Sequence, residues 1–571
     1  MSSVTSRDSG SPGSDSGPPW LGPGQVGTGN LTAVPQCDQE PSAASGVEGK
    51  PSSAPLRPLA PRPTPLAEVA ALLGLEAFAS SAVVTGVTHN SRAVLPGDVY
   101  AALPGAHAHG ADFAAQAAAG GAVAVLTDPE GALRAADCGL PLLVVDQPRA
   151  RMGGLAAAVY GHPAEALLTI GITGTNGKTT TAYLVEGGLR AAGRATGLVG
   201  TVEMRVGEAH FKSERTTPES TDLHAVLAVM REHGADALVM EVSSHALVYG
   251  RVDGVVYDVA VFNNLTPEHL DFHPDMEDYY RAKASLFTPR RARLGVVNLD
   301  DRYGRRLAEE AGIPVVTYSA DGDPAADWRA EAVHLGAAGS GFRVVGPGGA
   351  SADASVQLPG PFNVANALGA IAALVSAGLP LEEAAAGVSA VPGVPGRMER
   401  VDAGQPFVAV VDYAHKPDAL ESALQALREV TKGRLHVVVG CGGDRDPFKR
   451  GPMGAIAVRC ADTAILTSDN PRSEDPLAIL AVMFGGVVEV PEAERGAVVV
   501  EPDRARAIAA AVALAHAGDC VLVAGKGHEL GQYVRDEIRP FDDRAVLREA
   551  ILRSGPGETT DAVGSHGDAK E

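Results

Sequence analysis

The segment Leu167–Thr180, LLTIGITGTNGKTT, constrains the fold of this chain more than any other stretch. An apolar run typical of a buried strand leads into a glycine-bearing turn, and a helical pattern follows at once. Such a turn offers a phosphate its backbone N–H groups and the positive end of the helix dipole, while the lysine and the threonine supply a cation and a Mg²⁺ ligand. The spacing differs from the common phosphate loop, because Ile172 stands where a glycine is usual. A tight turn with a surface lysine is the alternative, and the strand–GKTT–helix order disfavours it.

Chain length, net charge and cysteine spacing limit the domain number, the class of binding partner and the expected location. A chain of 571 residues is too long for one hydrophobic core, so several domains are expected. The net charge of −22 argues against a general nucleic-acid binder. The five cysteines show no metal-binding spacing, and we find neither a signal-peptide profile nor an apolar run that could span a membrane. We therefore expect a cytoplasmic, monomeric protein with no membrane span.

Alternating strand and helix patterns predict an α/β protein with three domains. We expect disordered tails at residues 1–64 and 554–571, which are rich in Ser, Pro and Gly. Residues 65–163 read as a small α/β domain, residues 164–397 as a central P-loop ATPase-like α/β domain, and residues 398–553 as a Rossmann-like open sheet.

Three polar residues of the central domain are candidates for a metal site. Glu241 ends an apolar strand, His269 follows the next one, and Lys283 lies on the helix after it. Ligands in open α/β sheets bind at the carboxyl ends of the strands, where the phosphate loop also lies. A helix-capping acid and a turn histidine are the alternatives. Further along, Asn363 and Asn366 either read an adenine edge or form a helix cap and a buried amide.

In the C-terminal domain, four of the predicted strands are each followed by a cluster of polar residues. These clusters are Asp412–His415, Gly442–Asp446, Asp469–Arg472 and Gly525–Glu529. Four such clusters on one sheet edge predict a binding rim. No GxGxxG follows the first strand, which argues against NAD.

The combination of motifs resembles the Mur ligase family over nearly all of residues 65–553. The motifs are GTNGKTT, TTPE, EVSSHAL, HLDFH with RAKASLF, LPGPFNVAN, VPGRME, DYAHKP, GGDRDPFKRGPM, DNPRSEDP and AGKGHE. The resemblance implies an N-terminal UDP-binding domain and an ATP-dependent, ADP-forming ligase of peptidoglycan precursor synthesis. It implies ATP and Mg²⁺ as cofactors, with UDP-N-acetylmuramoyl-L-alanyl-D-glutamate and an amino acid as the other substrates.

The resemblance also implies roles for single residues around the nucleotide. Lys178, Glu241, His269 and Lys283 would be catalytic, and Thr179, Glu241, His269 and Lys283 would hold magnesium, with Lys283 modified to a carbamate. Carbamylation matters physically, because a free lysine would repel the metal. The implied ATP-binding residues are Gly174, Thr175, Asn176, Gly177, Lys178, Thr179, Thr180, Asn363, Asn366, Arg397 and Asp412.

Two further sets are implied for the other substrates. The UDP-substrate set is His89, Ser91, His107, Ala108, His109, Thr216, Thr217, Ser243 and Arg251. The amino-acid set is Arg445, Asp469, Asn470, Pro471, Arg472, Gly525 and Glu529. The family divides between meso-diaminopimelate and lysine, and Asp469–Arg472 matches the diaminopimelate form. The planar guanidinium of Arg472 suits the distal carboxylate, which lysine lacks; a surface arginine after a turn proline is the alternative.

Three rival functions remain open on the sequence. One is a lysine-adding relative of the same family, and another is a folylpolyglutamate synthase, which would not require the N-terminal domain or the DNPR cluster. The third is a nucleotide-dependent switch or transport ATPase. Phosphate release that requires both the UDP-linked dipeptide and an amino acid would exclude the third.

Overall fold

The computed structural model describes residues 56–76, 80–105, 107–213 and 215–555. Most of the predicted N-terminal tail, and all but the first two residues of the predicted C-terminal tail, lie outside this described part. In the described residues we find no helix that is both long and apolar enough to cross a membrane.

The N-terminal domain is a small α/β unit. Its strands are β1 (Thr64–Pro65), β2 (Val83–Val84), β3 (Gly86–Thr88), β4 (Asp98–Ala101), β5 (Ala124–Thr127) and β6 (Leu142–Val144). Its helices are α1 (Leu66–Leu72), α2 (Ala114–Ala119), α3 (Pro129–Arg134) and α4 (Pro148–Val159). Strands β3 to β6 form a parallel sheet in sequence order. Their apolar runs pack against α1 and α4 in one core.

The central domain is organised around one eleven-stranded sheet. Its strands are β7 (Leu168–Thr173), β8 (Thr196–Val199), β9 (Glu203–Val206), β10 (Ala209–Lys212), β11 (Ala237–Glu241), β12 (Tyr257–Phe262), β13 (Ala292–Asn298), β14 (Val315–Ser319), β15 (Trp328–Gly336), β16 (Gly339–Val345) and β17 (Ser351–Val356). Its helices are α5 (Lys178–Ala191), α6 (Ser220–Glu232), α7 (Ser244–Val248), α8 (Met276–Ala284), α9 (Arg302–Glu310), α10 (Pro361–Ser376) and α11 (Leu381–Ser389).

The strand order of this sheet places the phosphate loop at its centre. The order is β10-β9-β8-β11-β7-β12-β13-β14-β15-β16-β17, with parallel pairing from β8 to β15 and antiparallel additions at both ends. Strand β7 pairs with β11 on one side and β12 on the other, so the chain reverses its direction of winding there. Such a switch point opens a crevice at the carboxyl ends of the strands, where ligands bind.

The C-terminal domain has a six-stranded sheet that is parallel except for its first pair. Its strands are β18 (Glu399–Arg400), β19 (Val408–Asp412), β20 (Leu435–Val439), β21 (Thr463–Leu466), β22 (Ala497–Val500) and β23 (Cys520–Ala524), and a separate hairpin holds β24 (Gly531–Val534) and β25 (Glu537–Pro540). Its helices are α12 (Pro417–Val430), α13 (Arg450–Cys460), α14 (Pro476–Glu489), α15 (Arg504–Leu514) and α16 (Asp543–Arg553). The order β18-β19-β23-β20-β21-β22 matches the predicted open sheet.

The last residues of the predicted N-terminal tail contact two domains. Arg57 donates to the Tyr160 hydroxyl over 2.7 Å and pairs with Asp98 in the N-terminal domain. The backbone N–H groups of Leu59 and Ala60 donate to the carboxylate of Glu232 on α6. Packing of the chain therefore begins before Pro65.

Candidate active site

The phosphate loop connects β7 to α5 and requires glycine at its last position. Gly177 has a φ of 82°, a conformation that other residues adopt at a cost. A Cβ at this position would lie 2.2 Å from Oδ1 of Asn366 on α10. The loop is thus pressed against a neighbouring helix, which fixes its shape.

Two lysines converge on one carbonyl group of this loop. Lys178 Nζ donates to Gly174 O and to Thr175 O, each over 2.9 Å, and Lys283 Nζ donates to the same Gly174 O over 2.8 Å. Lys283 is 1% exposed and its ammonium lies over the Tyr279 ring. Burial, then the charge of Lys178, lowers the pKa of Lys283 well below its usual value. Burial likewise lowers the pKa of Lys178.

Glu241 and Thr179 form the oxygen-rich side of the site. Thr179 Oγ1 donates to Glu241 Oε1 over 3.0 Å, and the backbone N–H and hydroxyl of Thr201 also donate to this carboxylate. Glu241 is the last residue of β11 and is 1% exposed. The sequence placed Glu241 at a strand end, and the structure brings it to the first turn of α5.

His269 lies in a strained turn after β12 and has an acidic neighbour. Its φ is 56°, and Nε2 lies 3.1 Å from Oε1 of Glu268. Burial lowers the pKa of His269 to about 4, so the ring is neutral at neutral pH and can bind a metal. Glu268 also forms an ion pair with Lys416 of the C-terminal domain, whose charge helps hold the pKa of Glu268 at about 2 against the effect of burial.

Asn363 and Asn366 bond to each other at the start of α10. Asn366 Nδ2 donates to Asn363 Oδ1 over 3.1 Å, and Asn363 Nδ2 donates to Pro359 O over 2.8 Å. Both amides are buried, and Asn366 Oδ1 accepts from the Thr181 hydroxyl over 3.4 Å. These contacts match the helix-cap and buried-amide alternative, so a contact with adenine stays a prediction.

The phosphate loop is contacted by Arg397, the last residue of the predicted central domain, and by Asp418 of the C-terminal domain. Arg397 Nη2 donates to Thr179 Oγ1 over 3.2 Å, and its guanidinium stacks on Tyr413. Asp418 at the start of α12 accepts from Asn176 Nδ2 over 3.2 Å and from the Thr266 hydroxyl over 2.9 Å.

Asp412, at the end of β19, turns its carboxylate toward its own backbone. It accepts from the N–H groups of Met398 and Ala414, and burial raises its pKa.

The predicted residues for the UDP-linked substrate lie partly at the junction of the N-terminal and central domains. His89 Nδ1 is 3.2 Å from Thr221 Oγ1 on α6. Arg251 Nε donates to Glu219 Oε1 over 2.9 Å, and Arg149 of α4 binds the other oxygen of this carboxylate over 3.2 Å. Both guanidinium groups lie 5.5 Å from the Tyr249 ring centre.

The remaining residues of this set divide between the two domains. Thr217 Oγ1 donates to Glu241 O over 2.9 Å and lies 3.4 Å from Ser243 Oγ, while Thr216 accepts from Thr201. His109 is 6% exposed and caps a short helix, with Nδ1 accepting from Ala111 N and Nε2 3.1 Å from Asp128. The structure thus gives His109 a place in the domain's own packing. Ser91 donates to Gln116, and His107 and Ala108 are exposed.

Two residues of the set predicted to bind the amino-acid substrate, Asn470 and Glu529, form a hydrogen-bonded cluster with a buried lysine. Asn470 Nδ2 donates to Glu529 Oε2 over 2.8 Å. Lys526, which is fully buried, donates to Asn470 Oδ1 over 2.8 Å and to Glu529 Oε2 over 3.0 Å. Lys526, a member of the predicted cluster Gly525–Glu529, thus joins this cluster to Asp469–Arg472.

Arg472 sits beside this cluster in an unusual conformation. Its φ is 52°, and Nη1 donates to Gly443 O over 2.7 Å. The hairpin fixes the backbone of Arg472, because Arg472 N donates to Tyr533 O over 2.9 Å and Arg535 N donates to Arg472 O over 2.6 Å.

The other members of the amino-acid set differ in exposure. Asp469 is 7% exposed, and a Cβ on Gly525 would come within 2.7 Å of its Oδ2. Pro471 is buried, and Arg445 is exposed.

Sequence reasoning missed several site residues for one shared reason. The partners of Arg149, Glu219, Lys416 and Asp418 are distant in sequence, as in the Lys416–Glu268 pair at a separation of 148 residues. A signal was present for Asp418, since Pro417–Asp418 opens a helix one residue after DYAH.

The described residues contain no cluster of three or more His, Cys, Asp or Glu side chains that could hold a metal ion. Glu241 and Thr179 instead offer a carboxylate and a hydroxyl beside the loop, and the buried Lys283 bonds to Gly174 of the loop. This set suits Mg²⁺, which binds few protein oxygens and keeps phosphate and water ligands.

Family models match all three domains of the chain. The model for the Mur ligase family catalytic domain matches residues 83–160. The Mur ligase middle domain matches residues 172–374, and the Mur ligase glutamate ligase domain matches residues 396–527.

Curated relatives and a solved structure extend this match over most of the chain. The UDP-N-acetylmuramoyl-L-alanyl-D-glutamate–2,6-diaminopimelate ligase of Streptomyces coelicolor is 68% identical, covering 88% of this chain and 99% of that protein. The ligase of the same name from Streptomyces avermitilis is 67% identical over the same shares. A solved structure of a ligase of that name has a TM-score of 0.63 at 32% identity, covering 85% of this chain and 99% of the other. The chain therefore belongs to the Mur ligase family, as its motifs predicted.

Proposed function

We propose that the chain is an ATP-dependent amide ligase that joins meso-diaminopimelate to the D-glutamate carboxylate of UDP-N-acetylmuramoyl-L-alanyl-D-glutamate. The product is a peptidoglycan precursor, and the named relatives support this choice of substrates. One observation carries the proposal for the reaction. Thr179 is bonded both to Glu241 and to Arg397, and Asn176 of the phosphate loop donates to Asp418 of the C-terminal domain, which supports a phosphate site where the two domains meet.

A carboxylate is a poor acyl donor, and the reaction first converts it to an acyl phosphate. A carboxylate oxygen takes the γ-phosphoryl group of ATP and ADP leaves. The amine nitrogen then attacks the acyl carbon, loses a proton, and phosphate departs from the tetrahedral intermediate. Positioning and charge neutralisation supply most of the catalysis. Residues Gly174–Thr180 orient the phosphates, and Lys178 and Arg397 face the developing negative charge.

One magnesium would be held by Thr179 and Glu241, a second would lie at His269, and a carbamate on Lys283 would add an anionic oxygen ligand. Bound there, the metal neutralises phosphate charge. The donor set fits, because Thr179 Oγ1 and Glu241 Oε1 are 3.0 Å apart and the His269 ring is neutral at neutral pH.

The environment of Lys283 supports its carbamylation. Only a neutral amine attacks CO₂, and burial together with Lys178 favours the neutral form of Lys283. Once formed, the carbamate is an anion close to the Lys178 ammonium. Carbamylation of Lys283 thereby replaces a repulsion between two ammonium groups with an attraction between the carbamate and the Lys178 ammonium.

The specificity for the amino acid is assigned to Arg472. Its guanidinium would bind the distal carboxylate of meso-diaminopimelate through two parallel hydrogen bonds, and Glu529 and Asp469 would face an ammonium group. Asn470, Pro471, Gly525 and Arg445 complete the proposed pocket. Lysine offers no carboxylate, so binding lysine leaves the guanidinium without its partner, at a selectivity cost of roughly 10⁴.

The remaining roles follow the same proposal. The nucleotide would also contact Asn363, Asn366 and Asp412. The UDP-linked dipeptide would lie between the N-terminal and central domains, along His89, Ser91, His107, Ala108, His109, Thr216, Thr217, Ser243 and Arg251. We expect the enzyme to act in the cytoplasm as a monomer.

The deciding experiment incubates the full chain with ATP, Mg²⁺, the UDP-linked dipeptide and one amino acid. We expect ADP and a product whose mass equals the dipeptide plus diaminopimelate minus water. Omission of either cosubstrate should stop ADP release. Equal kcat/KM for lysine and meso-diaminopimelate would contradict the specificity, and ADP release without the dipeptide would contradict the ligase assignment.

A further inference from the structure

A completely buried ion pair lies behind the proposed amino-acid pocket. Arg504 opens α15 and Asp543 opens α16, and both side chains are 0% exposed. Arg504 Nε donates to Asp543 Oδ1 over 2.7 Å, and Nη2 donates to Oδ2 over 2.6 Å. The carboxylate therefore holds one edge of the guanidinium in a two-point contact.

The other donors of Arg504 bind the two loops that form the pocket. Nη2 donates to Ala524 O over 3.0 Å, and Nη1 donates to Ser468 O over 3.4 Å. Ala524 directly precedes Gly525–Glu529, and Ser468 directly precedes Asp469–Arg472. One side chain thus connects both loops at the point where each leaves its strand.

The spacing of these two loops decides whether the pocket groups can meet. Asn470 on one loop bonds to Glu529 and Lys526 on the other, and Gly525 lies close enough to Asp469 to exclude a Cβ. A shift of about 1 Å in such a site can cost about 100-fold in rate.

A buried ion pair is weak evidence for stability, because desolvation offsets most of the attraction between the charges. The distinctive property of Arg504 is its geometry. A guanidinium has five donors in a rigid fork, whereas a lysine ammonium has one nitrogen and cannot reach both carbonyls and the carboxylate together.

We propose that Arg504, fixed by Asp543, is a positioning residue for the amino-acid substrate. The guanidinium sets the distance between the loops Asp469–Arg472 and Gly525–Glu529 without touching the substrate. This inference rests on the proposed assignment of these loops to the amino-acid pocket.

The test compares Arg504→Lys and Asp543→Asn with a matched control in the same domain. Arg428 also binds an aspartate, Asp462, over 2.7 Å and the backbone carbonyls of Thr431 and Gly433. It does so at the opposite, amino-terminal ends of β20 and β21, so Arg428→Lys disturbs a similar contact away from the pocket. The measurements are kcat, the KM values for meso-diaminopimelate, ATP and the UDP-linked dipeptide, and Tm.

We expect Arg504→Lys and Asp543→Asn each to raise the KM for meso-diaminopimelate at least about tenfold. The KM values for ATP and the UDP-linked dipeptide should stay within about twofold, as should all three KM values in Arg428→Lys. Two outcomes would overturn the inference. In one, both test variants fail to fold; in the other, both fold and have the same KM values as Arg428→Lys.

Arg472→Ala in the same assay separates this inference from the proposed function. If Arg472→Ala leaves the KM for meso-diaminopimelate unchanged, the pocket assignment itself fails. If Arg472→Ala raises this KM while Arg504→Lys and Asp543→Asn do not, only the role of Arg504 is wrong.

Discussion

Lys178 and Lys283, which are 105 positions apart in sequence, donate to the same acceptor, the carbonyl oxygen of Gly174. Burial raises the cost of charging both amines, and the charge of Lys178 raises the cost for Lys283 further. The arrangement therefore favours a reaction that converts one of the two amines into an anion.

Replacing Lys283 by alanine should remove this anion and abolish ligation. We expect kcat to fall at least about 1,000-fold, because the metal loses a ligand and the phosphate loses its orientation. Acetate or propionate in the assay should restore part of the activity by supplying a carboxylate in the vacated space. The measurement is ADP formation with and without the acid.

The matched control for this experiment is Lys432→Ala, which changes an exposed lysine of the C-terminal domain. It should leave kcat unchanged and show no response to acetate. Full activity of the Lys283→Ala variant would contradict the proposed carbamate.

Gly177→Ala should damage the phosphate loop for two separable reasons. The new Cβ meets Asn366 Oδ1 at 2.2 Å, and the backbone has a φ of 82°. Gly193→Ala is the control, since Gly193 has a φ of 79° with no atom within 4 Å of a Cβ. The control should lose only about 1 kcal/mol of unfolding free energy, the cost of the positive φ. Gly177→Ala should lose more and should also raise the KM for ATP at least about tenfold; equal effects of the two variants would contradict the close approach.

The loss of folding stability at acid pH should depend in part on His224 in α6. This ring is fully buried with Nε2 3.0 Å from Asp253 O, and burial lowers its pKa to about 4 from an ordinary 6.5. The unfolded chain therefore binds one more proton than the folded chain between pH 6.5 and 4. The free energy of unfolding therefore has its full value from this residue above pH 6.5, and it falls by about 1.4 kcal/mol per pH unit between pH 6.5 and 4.

Replacing His224 by glutamine should flatten this slope. Urea denaturation at several pH values between 4 and 7 measures the slope, and the control is His233→Gln, which changes the exposed residue directly after α6. An unchanged slope in the His224→Gln variant would show that the ring does not titrate as expected.

Arg472→Ala should reduce the selectivity for meso-diaminopimelate over lysine more than it reduces kcat. Removing the guanidinium deletes the group that discriminates the distal carboxylate, so kcat/KM for meso-diaminopimelate should fall about 1,000-fold or more. The value for lysine should change much less, which narrows the ratio between the two amino acids. A parallel fall for both would assign Arg472 to structure alone.

The nucleotide side of the site was predictable because its signals are local. A strand, a glycine turn and a helix are consecutive in sequence, and Glu241 ends a strand of the same sheet. The conformation of Asn363 and Asn366 was not predictable, because a capping amide and a ligand-binding amide have the same local pattern. The contact of Asn366 with Thr181 depends on how α10 packs on α5.

The hairpin Gly531–Pro540 was missed for a different reason. Its strands are four residues each, and β25 is exposed along its whole length, so no alternating apolar pattern marks it. Its role emerges only in three dimensions, where Tyr533 and Arg535 hold the backbone of Arg472.

The contacts of Leu56–Ala60 have a practical consequence for any shortened version of the protein. Arg57 binds the N-terminal domain at Tyr160, and its near neighbours bind the central domain at Glu232, so this short segment bridges two domains. A polypeptide that starts at Leu56 keeps this bridge. One that starts at Pro65 leaves Asp98 buried without its guanidinium partner, and crystallisation or ligand-screening work should therefore trim the chain no further than Leu56.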